Sequence, residues 1–438
     1  MSSAPAEAKG SEPAEPSPGY VRYVLVLIFL VAVFNVCDRT ILSVLVEEVK
    51  RDLALDDRQL GLLMGFAFTV VNLGASIPIG RVADLGSRRS VIALGLLVWS
   101  GMTMFAGFSR NFGELLVARM GVGLGEAAGA PPSQSLISDY VPPERRARAL
   151  SVLTTGGVAG LGVGMLIGGF ANELWGWRSA FLIAGAPGLL LAVLFYATVR
   201  EPPRGRFDVA VPGARRSLWD AIRALLATTS YRFLALGACM AGITSYGKNF
   251  WEPTFLRRVY ELSPAEVGVV YFLIAPLPSA LGAYFGGSLG DRLARRDARW
   301  YMWLSALANV SAIPFSLGFL LLPRELAIAG VPVAFLSSAL GSLLMQVWSP
   351  QSGALGQLLA RPHDRTVSAA LWSSLHSFVG LGVGPYLVGE LNMRFEPSFG
   401  AASVRYSLTI ASGTLALAAL FQLLAARTLP RDLSRVRG

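Results

Sequence analysis

The sequence predicts an all-α integral membrane protein whose twelve transmembrane helices form two six-helix halves. Composition, the number of apolar segments and an internal repeat predict this architecture. Of the 438 residues, 53% are hydrophobic and only 15% are charged, whereas a soluble domain carries about 25% charged residues. A spanning helix needs about 20 residues, so the chain is long enough for twelve. The same composition excludes disorder over most of the chain.

The apolar segments fall into two groups of six, separated by the longest polar stretch of the chain. Their expected bounds are 22–46, 58–82, 90–108, 112–140, 148–172, 178–199, 231–256, 265–289, 300–322, 327–358, 366–392 and 403–427. The resulting domains are a disordered tail (1–20), an N-terminal half (21–199), a cytoplasmic linker (200–230), a C-terminal half (231–428) and a C-terminal tail (429–438).

The distribution of basic residues predicts the orientation of these helices. Most of the 38 lysines and arginines fall on the side that carries both chain ends and the linker. Cytoplasmic loops carry such an excess, so both termini are expected in the cytoplasm, in an inner or plasma membrane. Topology therefore accounts for the net charge of +10, and a nucleic-acid partner is not expected.

Cysteines and histidines are too few for most site chemistries. Cys37 and Cys239 lie inside apolar segments without partners at metal-ligand spacing, and there are only two histidines. A metal site and a Ser-His-Asp enzyme are therefore not expected, and no ring of repeated polar residues indicates a channel. Because no glycine-rich phosphate loop indicates ATP, no cofactor is expected and a proton gradient is the expected energy source.

An internal repeat supports the division into halves. Residues Gly80, Asp84 and the pair Arg88-Arg89 recur at the same spacing in the second half, and a glycine motif of helix 5 recurs in helix 11. The second copies are Gly287, Asp291 and Arg295-Arg296, and the glycine motifs are 160–164 and 380–384. Duplicated halves of this kind are typical of secondary transporters.

These motifs resemble those of the major facilitator superfamily over about residues 20–428. The family's loop motif between helices 2 and 3 has a glycine where Ser87 stands, and its copy between helices 8 and 9 matches more closely. Helix 5 resembles the family's antiporter motif, with Met165 in place of the usual proline. The resemblance implies the major facilitator fold and a secondary active transporter that works by alternating access.

Two further segments resemble the spinster branch of lipid transporters. They are 35–40 in helix 1 (Asn-Val-Cys-Asp-Arg-Thr) and 119–127 in helix 4 (Arg-Met-Gly-Val-Gly-Leu-Gly-Glu-Ala). This resemblance implies transport of an amphipathic anionic lipid, similar to sphingosine-1-phosphate or a lysolipid. Transporters of sugar acids and organic anions share similar patterns, so a small organic anion or a drug is the alternative substrate.

Four charges within the membrane define the expected site in the N-terminal half. Asp38, Arg39, Arg119 and Glu126 would each cost about 2.5–3.5 kcal/mol if isolated at mid-membrane. Neighbours in sequence point about 100° apart on a helix, so pairing is expected between helices 1 and 4. One arrangement that pairs all four charges joins Arg39 with Glu126 and Asp38 with Arg119. These pairs form either a static link between two helices or a working site. In a working site, Arg39, Arg119 and Asn35 bind the anion, and Asp38 and Glu126 carry protons when the arginine turns to the substrate.

The C-terminal half offers aromatic and polar residues that either pack the bundle or form a wall for an apolar tail. The residues proposed for this wall are Tyr246, Phe250, Trp251, Gln346, Trp348, Trp372 and Phe378. At the positions equivalent to Arg119 and Glu126 this half carries Ala339 and Gln346, so it is expected to be neutral. Lys248 is expected either to contact the head group of the substrate or to extend to the outer interface beside Glu252, with the interface preferred.

The repeated loops are expected to form a cytoplasmic gate, with a plain positive-inside loop as the alternative. Each loop aspartate is expected at the N-terminus of a facing helix, and an arginine is expected to pair with an acid such as Asp139. The gate residues are Gly80, Asp84, Arg88, Arg89, Asp139, Asp291, Arg295 and Arg296. The expected partners are the substrate and membrane lipids, with the protein a monomer.

Overall fold

The computed structural model describes residues 16–204, 206–207, 217–361 and 364–437. Most of the tail expected at 1–20 and part of the linker expected at 200–230 lie outside these residues. The helix that follows the tail begins at Pro18, earlier than the segment 22–46 predicted. Its start is set by Ser17, whose side chain accepts a hydrogen bond from the amide of Tyr20, and by Pro18 in the first turn.

Six membrane crossings form the N-terminal half, and two of them are broken. Gly65 separates α3 from α4, and the turn before Ala130 separates α6 from α7. The elements are α1 (Pro18–Val44), α2 (Val46–Asp52), α3 (Asp57–Met64), α4 (Phe66–Leu85), α5 (Arg88–Phe108), α6 (Phe112–Glu126), α7 (Ala130–Tyr140), α8 (Pro143–Trp175) and α9 (Trp177–Thr198).

The C-terminal half repeats this order. Its elements are α10 (Leu218–Ala227), α11 (Thr229–Val259), α12 (Pro264–Ile274), α13 (Pro276–Ala294), α14 (Trp300–Leu321), β1 (Ala327–Ile328), β2 (Val331–Pro332), α15 (Val333–Gln346), α16 (Trp348–Leu358), α17 (Arg365–His376), a π-helical turn (Ser377–Val383), α18 (Gly384–Phe399), a 3-10 turn (Gly400–Ala402), α19 (Ser403–Ser412) and α20 (Thr414–Arg437).

Within the described residues, nine helices are long and apolar enough to cross a membrane, or ten if α10 and α11 count as one bent span. One of the nine is the stretch Val367–Arg435, which holds two crossings, and the pair α6–α7 adds a crossing that carries Arg119 and Glu126. The predicted all-α architecture of twelve spans in two halves is consistent with this arrangement.

Besides the start of α1, three predicted boundaries differ clearly from the structure. The tenth segment starts at Val333 rather than 327, because β1 and β2 form a short antiparallel hairpin around Gly330, whose φ is +79°. The linker contains the helix α10, and α20 continues past 428 to Arg437. The last two differences arise because amphipathic polar sequence forms helix where it lies along a surface, which span length alone does not predict.

Glycines set the closest helix contacts, and they do so similarly in both halves. A Cβ on Gly164 of α8 would lie 2.8 Å from the carbonyl oxygen of Cys37 in α1, and one on Gly384 would lie 2.7 Å from that of Ile243 in α11. The fifth helix of each half therefore packs backbone to backbone against the first.

We call the end of the bundle that carries Pro18 and Arg437 the terminal face, and the other end the opposite face.

Candidate functional site

The structure brings Arg39 and Glu126 together across helices α1 and α6. Arg39 Nε lies 2.9 Å from Glu126 Oε2, and the side chain of Glu126 is 1% exposed whereas that of Arg39 is 27% exposed. Arg39 Nη2 also donates to Asn35 Oδ1 at 2.6 Å, and the guanidinium lies over the ring of Phe68 at 5.1 Å. The pair therefore joins a buried acid to a base that solvent reaches.

Asp38 and Arg119 do not form the expected side-chain pair. Arg119 Nη1 donates instead to the backbone oxygen of Asp38 at 3.1 Å, and its Nε donates to that of Leu63 at 3.4 Å. The Asp38 carboxylate lies near Thr103 of α5, and in the described part of the chain neither of its oxygens has a hydrogen-bond partner. The prediction of this pair was wrong because Arg119 reaches past the side chain to the backbone of α1.

A cavity of about 370 Å³ lies between the halves. Tyr246, Gln346 and Trp348 line it, and α8 closes it from the N-terminal half with apolar residues that include Val158 and Leu161. Arg39 and Glu126 are not among the residues that line this cavity. Helix α1, which carries Arg39, packs against α8 and α11, and both of these helices contribute to the cavity walls.

Phe250 and Trp251 do not line this cavity. Both are buried in the bundle, and the indole nitrogen of Trp251 donates to the backbone oxygen of Pro385 at 2.9 Å. Trp251 therefore packs α11 against α18, and Phe250 belongs to the buried core. Their expected place in a wall for an apolar tail was wrong because α11 turns both side chains into the interior of the bundle.

His376 is the centre of an aromatic cluster at the cavity wall. Its ring lies 5.5 Å from that of Tyr246, 5.1 Å from that of Trp348 and 5.7 Å from that of Trp372, measured between ring centroids. Phe378 lies apart from this cluster and packs edge-on against Phe66 at 6.5 Å. Trp372 does not line the cavity itself, but it packs against Trp348 and His376, which do.

The C-terminal half is not neutral at the depth of the cavity. Lys248 Nζ lies 3.0 Å from Glu252 Oε1, and their side chains are 4% and 1% exposed. Both residues line the cavity. Of the two positions expected for Lys248, the outer interface was wrong, because Glu252 one turn later on α11 neutralises its charge inside the bundle.

At the opposite face, a network around Asp57 ties the two halves together. The carboxylate of Asp57 on α3 accepts two hydrogen bonds from Arg258 on α11, from Nη1 at 2.6 Å and from Nη2 at 2.8 Å. Lys50 Nζ lies 2.7 Å from its Oδ1, and Asn392 Nδ2 of α18 donates to its Oδ2 at 2.9 Å. We call Asp57, Lys50, Arg258 and Asn392 the opposite-face lock.

Sequence reasoning missed this lock. The signal available was the placement of Asp57 and Arg258 at helix ends on the side of the membrane where basic residues are scarce. Charges at the ends of spans can be recognised in the sequence. Their pairing between segments far apart in the chain can be predicted only when the arrangement of the two halves is known.

At the terminal face, Arg88 is the centre of a cluster formed by the N-terminal half and the start of the linker. It pairs with Asp139 and donates through Nε to Glu201 Oε1 at 2.7 Å. The backbone amide of Arg89 donates to Glu201 Oε2 at 2.9 Å. Burial alone would raise the pKa of Glu201, but the hydrogen bonds from the Arg89 amide and the Arg88 guanidinium hold it below its usual value.

The two loop aspartates are not at helix N-termini. Asp84 lies at the end of α4, and Asp291 lies near the end of α13, where it accepts the Tyr301 hydroxyl at 3.0 Å. Both are exposed, as are Arg295 and Arg296, and Gly80 faces open space. Within the described residues, neither loop makes the expected contact with a helix N-terminus, because Arg204 of the linker donates to the backbone oxygens of Ala83 and Gly86 beside Asp84, and Asp291 accepts from Tyr301. Ion pairs between the halves, such as Arg257 with Glu48 and Arg58 with Glu390, lie at the opposite face.

The model of the family described as Major Facilitator Superfamily matches residues 28–385. The chain belongs to the major facilitator superfamily. It is 31% identical over 384 residues to an MFS-type efflux pump of Mycolicibacterium smegmatis, covering 87% of this chain and 86% of that protein. It is 25% identical over 406 residues to protein spinster homolog 1 of Bos taurus, covering 87% and 76%.

A solved structure of a bacterial homolog of the human lysosomal transporter spinster, inward-facing and unoccupied, superposes with a TM-score of 0.86. It is 28% identical, and the match covers 95% of this chain and 99% of that one. The predicted family, its spinster-like character and its helical fold are therefore confirmed. The protein is an integral membrane transporter of a small-molecule substrate and not an enzyme.

Proposed function

We propose that this member of the major facilitator superfamily is a proton-coupled secondary transporter that moves an amphipathic anionic lipid, such as a sphingoid phosphate or a lysolipid, by alternating access. The Arg39–Glu126 pair is the observation that carries this proposal. It places a partly exposed guanidinium and a buried carboxylate 2.9 Å apart, and α1 packs against the helices α8 and α11 that line a cavity between the halves.

Exchange of partners at this pair would couple substrate to protons. A guanidinium binds phosphate or carboxylate with two parallel hydrogen bonds, so an anionic head group can take Arg39 from Glu126. A buried carboxylate without a cation is strongly destabilised, and uptake of a proton relieves this. Asp38 lies next to the pair and is buried as well, which makes it a second candidate proton carrier.

The cavity suits an amphipathic ligand. Its volume of about 370 Å³ lies within the usual range of roughly 300–1,000 Å³ for ligand pockets. One wall carries Tyr246, Gln346 and Trp348, and the opposite wall carries the apolar residues of α8. A head group would bind on the side of Arg39 and Tyr246, with the apolar part against α8 and the aromatic cluster.

Alternating access would use the two ends of the bundle in turn. With both termini in the cytoplasm, as the distribution of basic residues predicts, the opposite-face lock closes the outside. The Arg88 cluster and the exposed loops at Asp84 and Asp291 would then close the inside by meeting the other half. The proton gradient is the proposed energy source, with no cofactor, and the transport unit is a monomer.

A small organic anion or a drug is the second candidate substrate. The relative that is 31% identical is an MFS-type efflux pump, and the cavity is small enough for a compact molecule. Arg39 would bind such an anion by the same exchange with Glu126.

Flux of a labelled sphingoid phosphate into proteoliposomes, with and without an imposed pH gradient, tests the proposal. Gradient-dependent flux is the expected result. Flux of the same size with and without the gradient would contradict the proposed proton coupling. Absence of flux in a folded sample, with flux of a labelled organic anion in its place, would favour the second candidate.

A further inference from the structure

The C-terminal wall of the cavity contains an ion pair that the proposed exchange at Arg39 does not use. Lys248 Nζ lies 3.0 Å from Glu252 Oε1, and both side chains are almost fully buried. Both line the cavity of about 370 Å³. Ligand in the cavity can therefore reach this pair although bulk solvent hardly does.

The pair has no evident structural task. Lys248 and Glu252 lie one turn apart on α11, so their attraction cannot hold two helices together, in contrast to Arg39 and Glu126 on α1 and α6. Buried ion pairs are often replaced by apolar residues without loss of stability, and charges inside the membrane are costly unless they have a function. The only other hydrogen-bond partners near the amine in the described chain are the Ser316 hydroxyl at 3.2 Å and the thioether sulfur of Met345 at 3.9 Å.

The surroundings of Lys248 suit an oxyanion. A thioether is a weak acceptor, so an oxygen of a carboxylate or phosphate is a better partner for the third ammonium proton. Ser245 and Gln346 line the same cavity, and in the described part of the chain the Ser245 hydroxyl has no hydrogen-bond partner. A hydroxyl, an amide and an ammonium at one wall are the donors that such a group needs.

We infer that Lys248, Ser245 and Gln346 form a second oxyanion subsite of the transport cavity, with Glu252 as the exchangeable partner of Lys248. This deepens the proposed function, since it rests on an anionic substrate. Each half then presents one cation from its first helix, Arg39 on α1 and Lys248 on α11.

Occupation of this subsite leaves Glu252 without its cation. The titratable groups that face Glu252 are Lys248 on its own helix and Tyr271 on α12, while α14 and α15 contribute the neutral Ser316 and Met345. A phenol cannot replace the lost positive charge. Glu252 therefore takes up a proton when an oxyanion binds Lys248, in addition to any proton taken up at Glu126.

The phosphate dependence of thermal unfolding tests the subsite without a lipid. The purified full chain in detergent is unfolded in sodium phosphate and in sodium chloride of equal ionic strength. The double variant Lys248→Met/Glu252→Gln removes both charges, so that no unpaired buried charge is left. We expect phosphate to raise Tm of the wild type and the double variant to lose about half of this shift or more, because Arg39 remains. Arg232→Gln, an exposed charge on the same helix, is the matched control and keeps the full shift.

Binding of labelled sphingosine-1-phosphate tests the same residues with the proposed substrate. The double variant is expected to bind about tenfold more weakly, since it loses a hydrogen bond to a charged group. Glu252→Gln removes the partner that competes with the oxyanion for Lys248, so it is expected to bind at least as tightly as the wild type but to take up fewer protons on binding.

The outcomes separate the subsite from the proposed substrate. If the lipid does not bind the wild type but the phosphate shift depends on Lys248, the lipid proposal fails and the subsite stands. A phosphate shift and a lipid affinity that are both unchanged in the double variant overturn the subsite, whatever the substrate.

Discussion

Replacement of Asp57 by asparagine should release the two halves from each other at the opposite face. Asp57 is buried, with a side chain that is 2% exposed, and it contacts Lys50 from its own half and Arg258 and Asn392 from the other half. Asp57→Asn keeps the shape of the side chain but removes the charge to which both cations bind. The conformation closed at the opposite face loses these contacts, whereas one open there has less to lose.

The size of the effect follows from these contacts. Removal of one partner of a buried ion pair costs about 3–5 kcal/mol. Arg258 also lies 2.7 Å from Glu47, and asparagine still accepts one hydrogen bond, so we expect roughly 2–4 kcal/mol. At about 1.4 kcal/mol per factor of ten, the ratio of closed to open molecules falls about thirty- to thousandfold.

Distances between spin labels on Arg110 and Arg324, exposed residues of the two halves at the opposite face, measure this ratio. The labels are placed in a chain in which the buried Cys37 and Cys239 are replaced. We expect Asp57→Asn to populate a longer distance. Glu396→Gln is the matched control, since Glu396 is 50% exposed and 3.9 Å from Lys50, and exposed pairs contribute only about 0–1 kcal/mol. The same distance distribution in Asp57→Asn and wild type would refute the role of the lock.

Three further predictions concern other parts of the molecule. Arg39→Ala should weaken binding of a sphingoid phosphate by about tenfold or more, measured by equilibrium binding, and retained affinity would remove Arg39 as the head-group ligand. Gly61→Val should favour opening at the opposite face, because a Cβ there would lie 2.6 Å from the Pro385 oxygen; unchanged spin-label distances would contradict this. Glu201, with a lowered pKa, should stabilise the protein at neutral pH and lose this effect as pH falls through its folded-state pKa, so the Tm difference between wild type and Glu201→Gln should shrink below about pH 4. A difference that stays constant with pH would exclude an ionised Glu201 from the cluster.

Features that depend on local sequence were predictable. Span length and hydropathy gave most helices to within a few residues, and the pairing of Arg39 with Glu126 followed from helix geometry and the cost of burying charge. The spacing of consecutive residues also ruled out contact between Asp38 and Arg39.

Features that depend on which of several possible partners a long side chain contacts were not predictable. Arg119 is long enough to reach either the Asp38 carboxylate or the backbone beside it, and sequence does not decide between them. Lys248 could lie inside or at the interface until the position of Glu252 was known. The lock at Asp57 depends on the conformation of the whole bundle, which no single segment specifies.

Gradient-driven accumulation by Glu126→Gln tests most directly whether the Arg39–Glu126 pair couples protons to an anionic substrate. Proteoliposomes with wild type or Glu126→Gln receive a labelled sphingoid phosphate, and two fluxes are compared: accumulation driven by a pH gradient, and exchange of labelled for unlabelled substrate without a gradient. We predict that the variant keeps exchange and loses accumulation, because a glutamine binds no proton. Accumulation at the wild-type level in Glu126→Gln would contradict the assignment of proton coupling to this pair.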